Sequence, residues 1–162
     1  MNWYKAAEER TAPVTPAEFG AMSLQQKQDL VTPTLTKYVD QELQRLFFTE
    51  SYMGKHFALW NLSQNRSITP ETQRLFFTEK YMSKDWVLTY LAGNTSITPA
   101  TQRLFFAWDY EGKSEALWYL AKNEKFLRNF TREELLLIKG VVKGSLKLQI
   151  LSKRLKQIAG VP

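Results

Sequence analysis

The run Gln-Arg-Leu-Phe-Phe occurs three times in this chain, at Gln44–Phe48, Gln73–Phe77 and Gln102–Phe106, each 29 residues after the last. The same register aligns Tyr52, Tyr81 and Tyr110, and then Lys55, Lys84 and Lys113. Further along it aligns Leu59, Leu88 and Leu117, then Leu62, Leu91 and Leu120, then Asn65, Asn94 and Asn123. The first two units agree at 17 of the 27 positions from 44 to 70. A period of this length marks a repeat architecture. Each unit is too thin to bury its own apolar face, so neighbours must stack, and the terminal units must differ in order to close the stack.

Each unit reads as two short helices. Ile68-Thr69-Pro70 and Ile97-Thr98-Pro99 are helix starts, because threonine caps free amides and proline at the first helical position loses only a hydrogen bond that is missing anyway. Val14-Thr15-Pro16 and Val31-Thr32-Pro33 repeat the signal upstream, with Glu18 completing a capping box on Thr15. The first helix of a unit is predicted over about 70–78. The second starts near Gly54, Ser83 or Gly112 and runs through the two leucine columns. In the middle unit it is expected to stop at Gly93-Asn94, residues that tolerate the left-handed conformation of a helix end. The third unit drifts, with Phe126 in the isoleucine slot and the helix start displaced by about one turn to Thr131-Arg132-Glu133-Glu134. Residues 1–38 and 131–162 read as helical caps on the units in 39–130, and the whole of 1–162 as one all-α domain. Ser145 to Ala159 forms an amphipathic helix with Leu148, Leu151, Leu155 and Ile158 on one stripe.

The segment Leu91-Ala92-Gly93-Asn94-Thr95-Ser96-Ile97-Thr98-Pro99, with a second Leu-Ala-x-Asn at Leu120–Asn123, resembles the variant leucine-rich repeat over about residues 39–126. That resemblance implies a short right-handed α-solenoid of about three units, serving as a binding scaffold. The 29-residue period exceeds that family's repeat length and the Phe-Phe pairs are foreign to it, so a fully α-helical unit closer to a HEAT-like hairpin is the alternative. No cysteine is present, so the iron–sulfur cluster of some variant-repeat proteins cannot be built.

The lack of cysteine also excludes disulfides, thiolate-bound zinc and cysteine nucleophiles. The single histidine, His56, shares a column with Asp85 and Ser114 and reads as a surface position. No nucleophile elbow, phosphate loop, dinucleotide fingerprint or His-Glu-x-x-His motif occurs. Arg103, Trp108 and Asp109 supply the residue types that some HEAT-like DNA glycosylases use, but at a spacing that is not diagnostic. The chain is therefore read as non-enzymatic, without cofactor or metal. No apolar run reaches membrane-spanning length, and Met1 to Lys5 lack the layout of a secretion signal, so a cytoplasmic location is expected.

Surface chemistry is left as the route to function. Columns that recur serve the stack; columns that vary are free to meet a partner. The varying columns include Phe57/Trp86/Glu115, Trp60/Thr89/Trp118, Asn61/Tyr90/Tyr119 and Glu50/Glu79/Trp108. Trp86, Tyr90, Tyr119 and Trp108 are thus candidate anchors for a protein partner, with packing inside the core as the competing account. The second candidate is nucleic acid. The net charge is +6, and residues 135–162 hold six cations (Lys139, Lys143, Lys147, Lys153, Arg154, Lys156) and no acid, leaving 16 basic and 16 acidic side chains in the rest. Lys143, Lys147, Lys153, Arg154 and Lys156, with the recurring Arg45, Arg74 and Arg103, could attract phosphates. Helices about 8–10 Å apart would present those arginines only to about every third phosphate, at about 3.4 Å per base pair. A plain cap with a solvated cationic face, and recurring Arg and Lys that are solvated or bind an acid or carbonyl of the adjoining unit, are the bland alternatives.

Overall fold

Threonine, aspartate and serine caps open most of the helices. In a computed structural model, which describes residues 13–31, 39–142 and 144–159, eleven α-helices are found and no strand among those residues. They are α1 (Pro16–Ala21), α2 (Leu24–Leu30), α3 (Gln41–Thr49), α4 (Lys55–Ser63), α5 (Pro70–Thr78) and α6 (Lys84–Ala92). Then follow α7 (Pro99–Ala107), α8 (Lys113–Ala121), α9 (Glu124–Leu127), α10 (Arg132–Val141) and α11 (Ser145–Ala159). The Thr32-Pro33 helix start, Lys143, the side chain of Ile158 and most of the N-terminal stretch lie outside the described residues.

Thr69 and Thr98 accept the amides of Thr72 and Thr101 at 3.2 Å, with proline next in line, and Asp40 does the same for Leu43 at 2.9 Å. Thr15 with Glu18 and Thr131 with Glu134 form full capping boxes, and Ser23 with Gln26 adds one more. The middle unit's second helix does stop at Gly93-Asn94, but not through the left-handed conformation that those residues tolerate. Gly93 sits at φ −79°, in the ordinary helical region, and Asn94 is not left-handed either. Positive φ is instead taken by Gly144 (100°) before α11, and by Gly54 (74°), Ser83 (59°) and Gly112 (75°) at the turn into each second helix. The chain must reverse there, between two antiparallel helices, whereas α6 ends in a gentler turn held by Gly93 and Asn94 amides on Thr89, Tyr90 and Leu91 carbonyls.

The recurring Tyr and Lys columns close the first helix of each unit. The Tyr52, Tyr81 and Tyr110 hydroxyls donate to the carbonyls of Phe47, Phe76 and Phe105 at 2.7–2.8 Å. The Lys55, Lys84 and Lys113 ammonium groups reach the carbonyls of Phe48, Phe77 and Phe106, and those of Glu50, Glu79 and Trp108 at 2.7–2.9 Å. These carbonyls belong to the last helical turn and the residue capping it, where no intrahelical amide is available. Burial pushes all three phenols above their ordinary value of 10.0 and holds Lys55 and Lys84 below theirs. The lysines bind carbonyls, as one of the bland alternatives held, but within their own unit and not the next.

Two rows of helices result. The first helices α1, α3, α5 and α7 contact one another in order, and the second helices α2, α4, α6, α8 and α10 do likewise. Three ladders tie successive units. The second phenylalanine of each pair meets the first of the next edge to face: Phe48 on Phe76 and Phe77 on Phe105, both at 4.8 Å between ring centres. Phe19 on Phe47 (4.9 Å) and Phe106 on Phe130 (5.0 Å) continue the series into both ends. Such pairs contribute about 0.5–1.5 kcal/mol beyond the area they bury. A glutamine ladder runs beside it. Gln73 donates to Ile68 O (3.1 Å) and accepts from Thr98 N (3.0 Å) and Thr101 Oγ1 (2.7 Å). Gln44 repeats this toward Thr69. Gln102 keeps the donor bond to Ile97 O, but its buried Oε1 has no partner among the described residues, because the next threonine start is displaced to Thr131. The third ladder is Asn94, whose Nδ2 donates to the carbonyls of Ser63 and Asn65 at 2.8 Å each.

Candidate functional site

Three of the four aromatic candidates share one surface. Trp86 and Tyr90 lie one turn apart on α6, and Tyr119 occupies the Tyr90 position on α8, one unit later. Between α6 and α8 they line a groove. One part, bounded by Asp85, Trp86, Thr89, Tyr90, Gly112, Glu115 and Tyr119, encloses about 310 Å³. It shares Tyr90 and Tyr119 with a larger cleft of about 590 Å³, walled further by Gln64, Arg66, Gly93, Asn94, Thr95, Lys122, Asn123 and Glu124. The helix N-termini thus hold one end of the groove and the turns after α4, α6 and α8 the other.

Trp86 is not free on both faces. Its ring stacks on Trp60 at 5.3 Å and 16°, and Tyr90 meets both indoles edge-on at 5.6 Å. Phe57, 43 % exposed, touches the far edge of Trp86 at 6.4 Å. Trp118 is buried, at 7 % exposure. The core and interface accounts therefore divide within one cluster: Trp60 and one face of Trp86 are packed, while Tyr90 and Tyr119 are half-buried along the groove. Trp108 stands apart. It caps α7, packs near Phe77 at 6.3 Å, and lines a separate hollow of about 410 Å³ with Tyr81, Leu88, Asp109 and Tyr110. His56 packs its ring on Phe57 at 4.1 Å.

The cationic candidates scatter. Arg45, Arg74 and Arg103 are exposed on the first-helix row, and Arg45 pairs with Glu42 at 3.1 Å. On α11, Lys147 grips both carboxylate oxygens of Glu115 at 3.0 and 2.8 Å, and Arg154 donates to Lys122 O at 2.9 Å. These two tail cations hold α11 along α8, Lys147 at its first turn and Arg154 just past its last, and Leu151 and Leu155 of α11 are fully buried. Lys153 and Lys156 remain exposed.

The larger cleft contains residues that were not singled out from the sequence, although a signal for them exists. Gln64/Gly93/Lys122 and Arg66/Thr95/Glu124 are further varying columns, immediately beside the constant asparagine. The cleft is built from these two columns and from Tyr90 and Tyr119, around Asn94 and Asn123. Arg66 makes no hydrogen bond or ion pair among the described residues, and the Lys122 ammonium lies 4.2 Å from the centre of the Tyr119 ring. Asn94 Oδ1 accepts from Ser96 N at 2.9 Å, which holds the turn that forms the cleft floor.

Among the described residues no group of three or more His, Cys, Asp or Glu side chains could hold a metal ion, and no helix is long and apolar enough to cross a membrane. No family model, curated protein or solved structure matches the chain.

Proposed function

We propose that the protein is a non-enzymatic scaffold that binds another protein across the α6–α8 groove. In this reading the two helix rows are a short right-handed α-solenoid of about three units with helical caps, akin to variant leucine-rich or HEAT-like repeats and working in the cytoplasm as an adaptor or inhibitor. One observation supports it above others: the groove is lined almost entirely by columns that change from unit to unit. Apart from the exposed arginine column on the first-helix row and the asparagines at the cleft floor, the recurring columns are engaged elsewhere, as largely buried phenylalanine and leucine or as Gln, Tyr and Lys bonded to backbone. Along the second-helix row variation is concentrated in the groove, while the buried framework beneath it is constant. Half-buried tyrosines suit a protein interface, since a rigid ring loses little side-chain entropy when it is covered.

The nucleic-acid reading is weaker, because Lys147 and Arg154 are occupied in docking α11 and Asp85, Glu115 and Glu124 lie along the groove. The deciding experiment is affinity capture with the immobilised chain, each retained polypeptide being identified by mass spectrometry. The reading expects one defined protein that is lost with Tyr90→Ala and Tyr119→Ala and retained by Lys153→Glu with Lys156→Glu. Retention of nucleic acid in place of a protein, abolished by the lysine pair and by moderate salt, would refute it.

A further inference from the structure

The groove has two chemically different ends. At the N-termini of α6 and α8 its charges are Asp85 and Glu115, the latter already neutralised by Lys147. At the other end, in the larger cleft, Arg66 and Lys122 face the single acid Glu124, and neither cation has an ion-pair partner among the described residues. Between them lie the Tyr90 and Tyr119 rings. The Lys122 ammonium lies over the face of Tyr119, a contact that orders the group without pairing it to an acid. Nine-residue helices such as α6 and α8 are about 13 Å long, the span of about four residues of extended chain.

We propose that the groove takes an extended segment of the partner protein, with an apolar or aromatic side chain between Tyr90 and Tyr119 and an acidic side chain against Arg66 and Lys122. The proposal rests on the protein-binding reading and adds the chemistry of the bound segment. A polyanion does not fit as well, because repeated phosphates would have to run past Asp85 and Glu124. The volume at the cationic end, about 590 Å³, is of the size that holds a small group of side chains, within the usual range of about 300–1,000 Å³ for binding clefts. The cations lie on exposed positions of turns, so reversing their charge leaves the buried ladders intact.

The test is selection from a phage-displayed random dodecapeptide library whose members have no free C-terminus, so that any carboxylate must come from a side chain. The full chain and an Arg66→Glu, Lys122→Glu double variant serve as targets, with unchanged thermal melting as the folding control. The wild-type pool is expected to place Asp or Glu within a few residues of Leu, Phe or Tyr. A fluorescein-labelled peptide from that pool should bind the double variant about tenfold more weakly, and changing its acid to lysine should restore binding there. A pool without acidic preference, or affinity that ignores the charge reversal, overturns the inference. If Tyr90→Ala still abolishes binding of that peptide, the protein-binding reading survives; if neither set of substitutions matters, both fall. Failure to enrich any peptide overturns the linear-segment proposal alone, because a folded partner can still be captured. A shift of the free protein to a dimer that Tyr90→Ala reverses would assign the groove to a second copy, and would overturn it too.

Discussion

Replacing Asn94 by alanine isolates what joins one unit to the next. Asn94 is 6 % exposed and makes three bonds, two from Nδ2 to the carbonyls of Ser63 and Asn65 at 2.8 Å and one at Oδ1 from Ser96 N at 2.9 Å. Ser63 is the last residue of α4, so its carbonyl has no intrahelical partner. The alanine variant leaves two carbonyls, both in the joint between units, without a donor. Each buried polar group so stranded costs about 1–3 kcal/mol, and the total expected is about 2–5 kcal/mol. That is a large share of the about 5–15 kcal/mol by which domains are stable. Asn123 provides the control. It stands in the same column but makes one bond, accepting from Lys125 N at 3.0 Å at the start of α9, so its alanine variant should lose only about 1 kcal/mol. Urea denaturation followed by tryptophan fluorescence measures both, with an unchanged slope confirming that the midpoints report stability. A loss below about 1 kcal/mol for Asn94→Ala, or equal losses for the two, would refute the claim that this amide bonds the units together.

Other outcomes follow from the same contacts. Tyr81→Phe should lose about 1 kcal/mol, because it frees the Phe76 carbonyl that the hydroxyl holds at 2.7 Å. Since burial raises the Tyr52, Tyr81 and Tyr110 phenols above 10.0, their contribution is complete below that value and lost as pH rises beyond it. An ultraviolet titration should show these three ionising only as the chain unfolds, and three freely titrating phenols in the folded state would contradict their burial. Gly54→Ala should lower the melting temperature, since φ is +74° and the new Cβ would crowd the Leu24 side chain; Ser83→Gly, relieving φ 59°, should leave it level or raised. Arg154→Ala should destabilise more than Lys153→Ala, because Arg154 binds the Lys122 carbonyl at the end of α8 whereas Lys153 is exposed; equal melting points would contradict the docking role of Arg154.

The helix boundaries were legible because their signals are local. The Thr15, Thr69 and Thr98 starts with their prolines and the Thr131 capping box act over four residues or fewer. The helix from Ser145 follows from spacing along the chain, and each of these appears where the pattern put it. The Phe-Phe pairs, as recurring columns, were expected to serve the stack, and their equivalent edge-to-face contacts in successive units agree with the 29-residue register. The left-handed turn was misplaced at Gly93-Asn94 because glycine there permits that conformation without requiring it, while Ser83 gave no hint that it adopts one. The groove was legible in part. Trp86, Tyr90 and Tyr119 were marked by varying columns, but Trp108 was marked equally and lies elsewhere. Arg66 and Lys122 carried the same signal and went unread, since they follow the helices and belong to no apolar stripe.

Period, capping and apolar spacing belong to the sequence, because each is an interaction among residues close in the chain or a pattern repeated along it. The partners of the polar columns were decided by the tertiary structure. A lysine that recurs every 29 residues looks the same whether it seeks phosphate or closes a helix; only the position of the Phe48, Phe77 and Phe106 carbonyls shows that these lysines do the second. Backbone acceptors have no letter in the sequence, and neither does the distance between two helices, so which variable side chains share a groove had to await the stacking of α6 on α8.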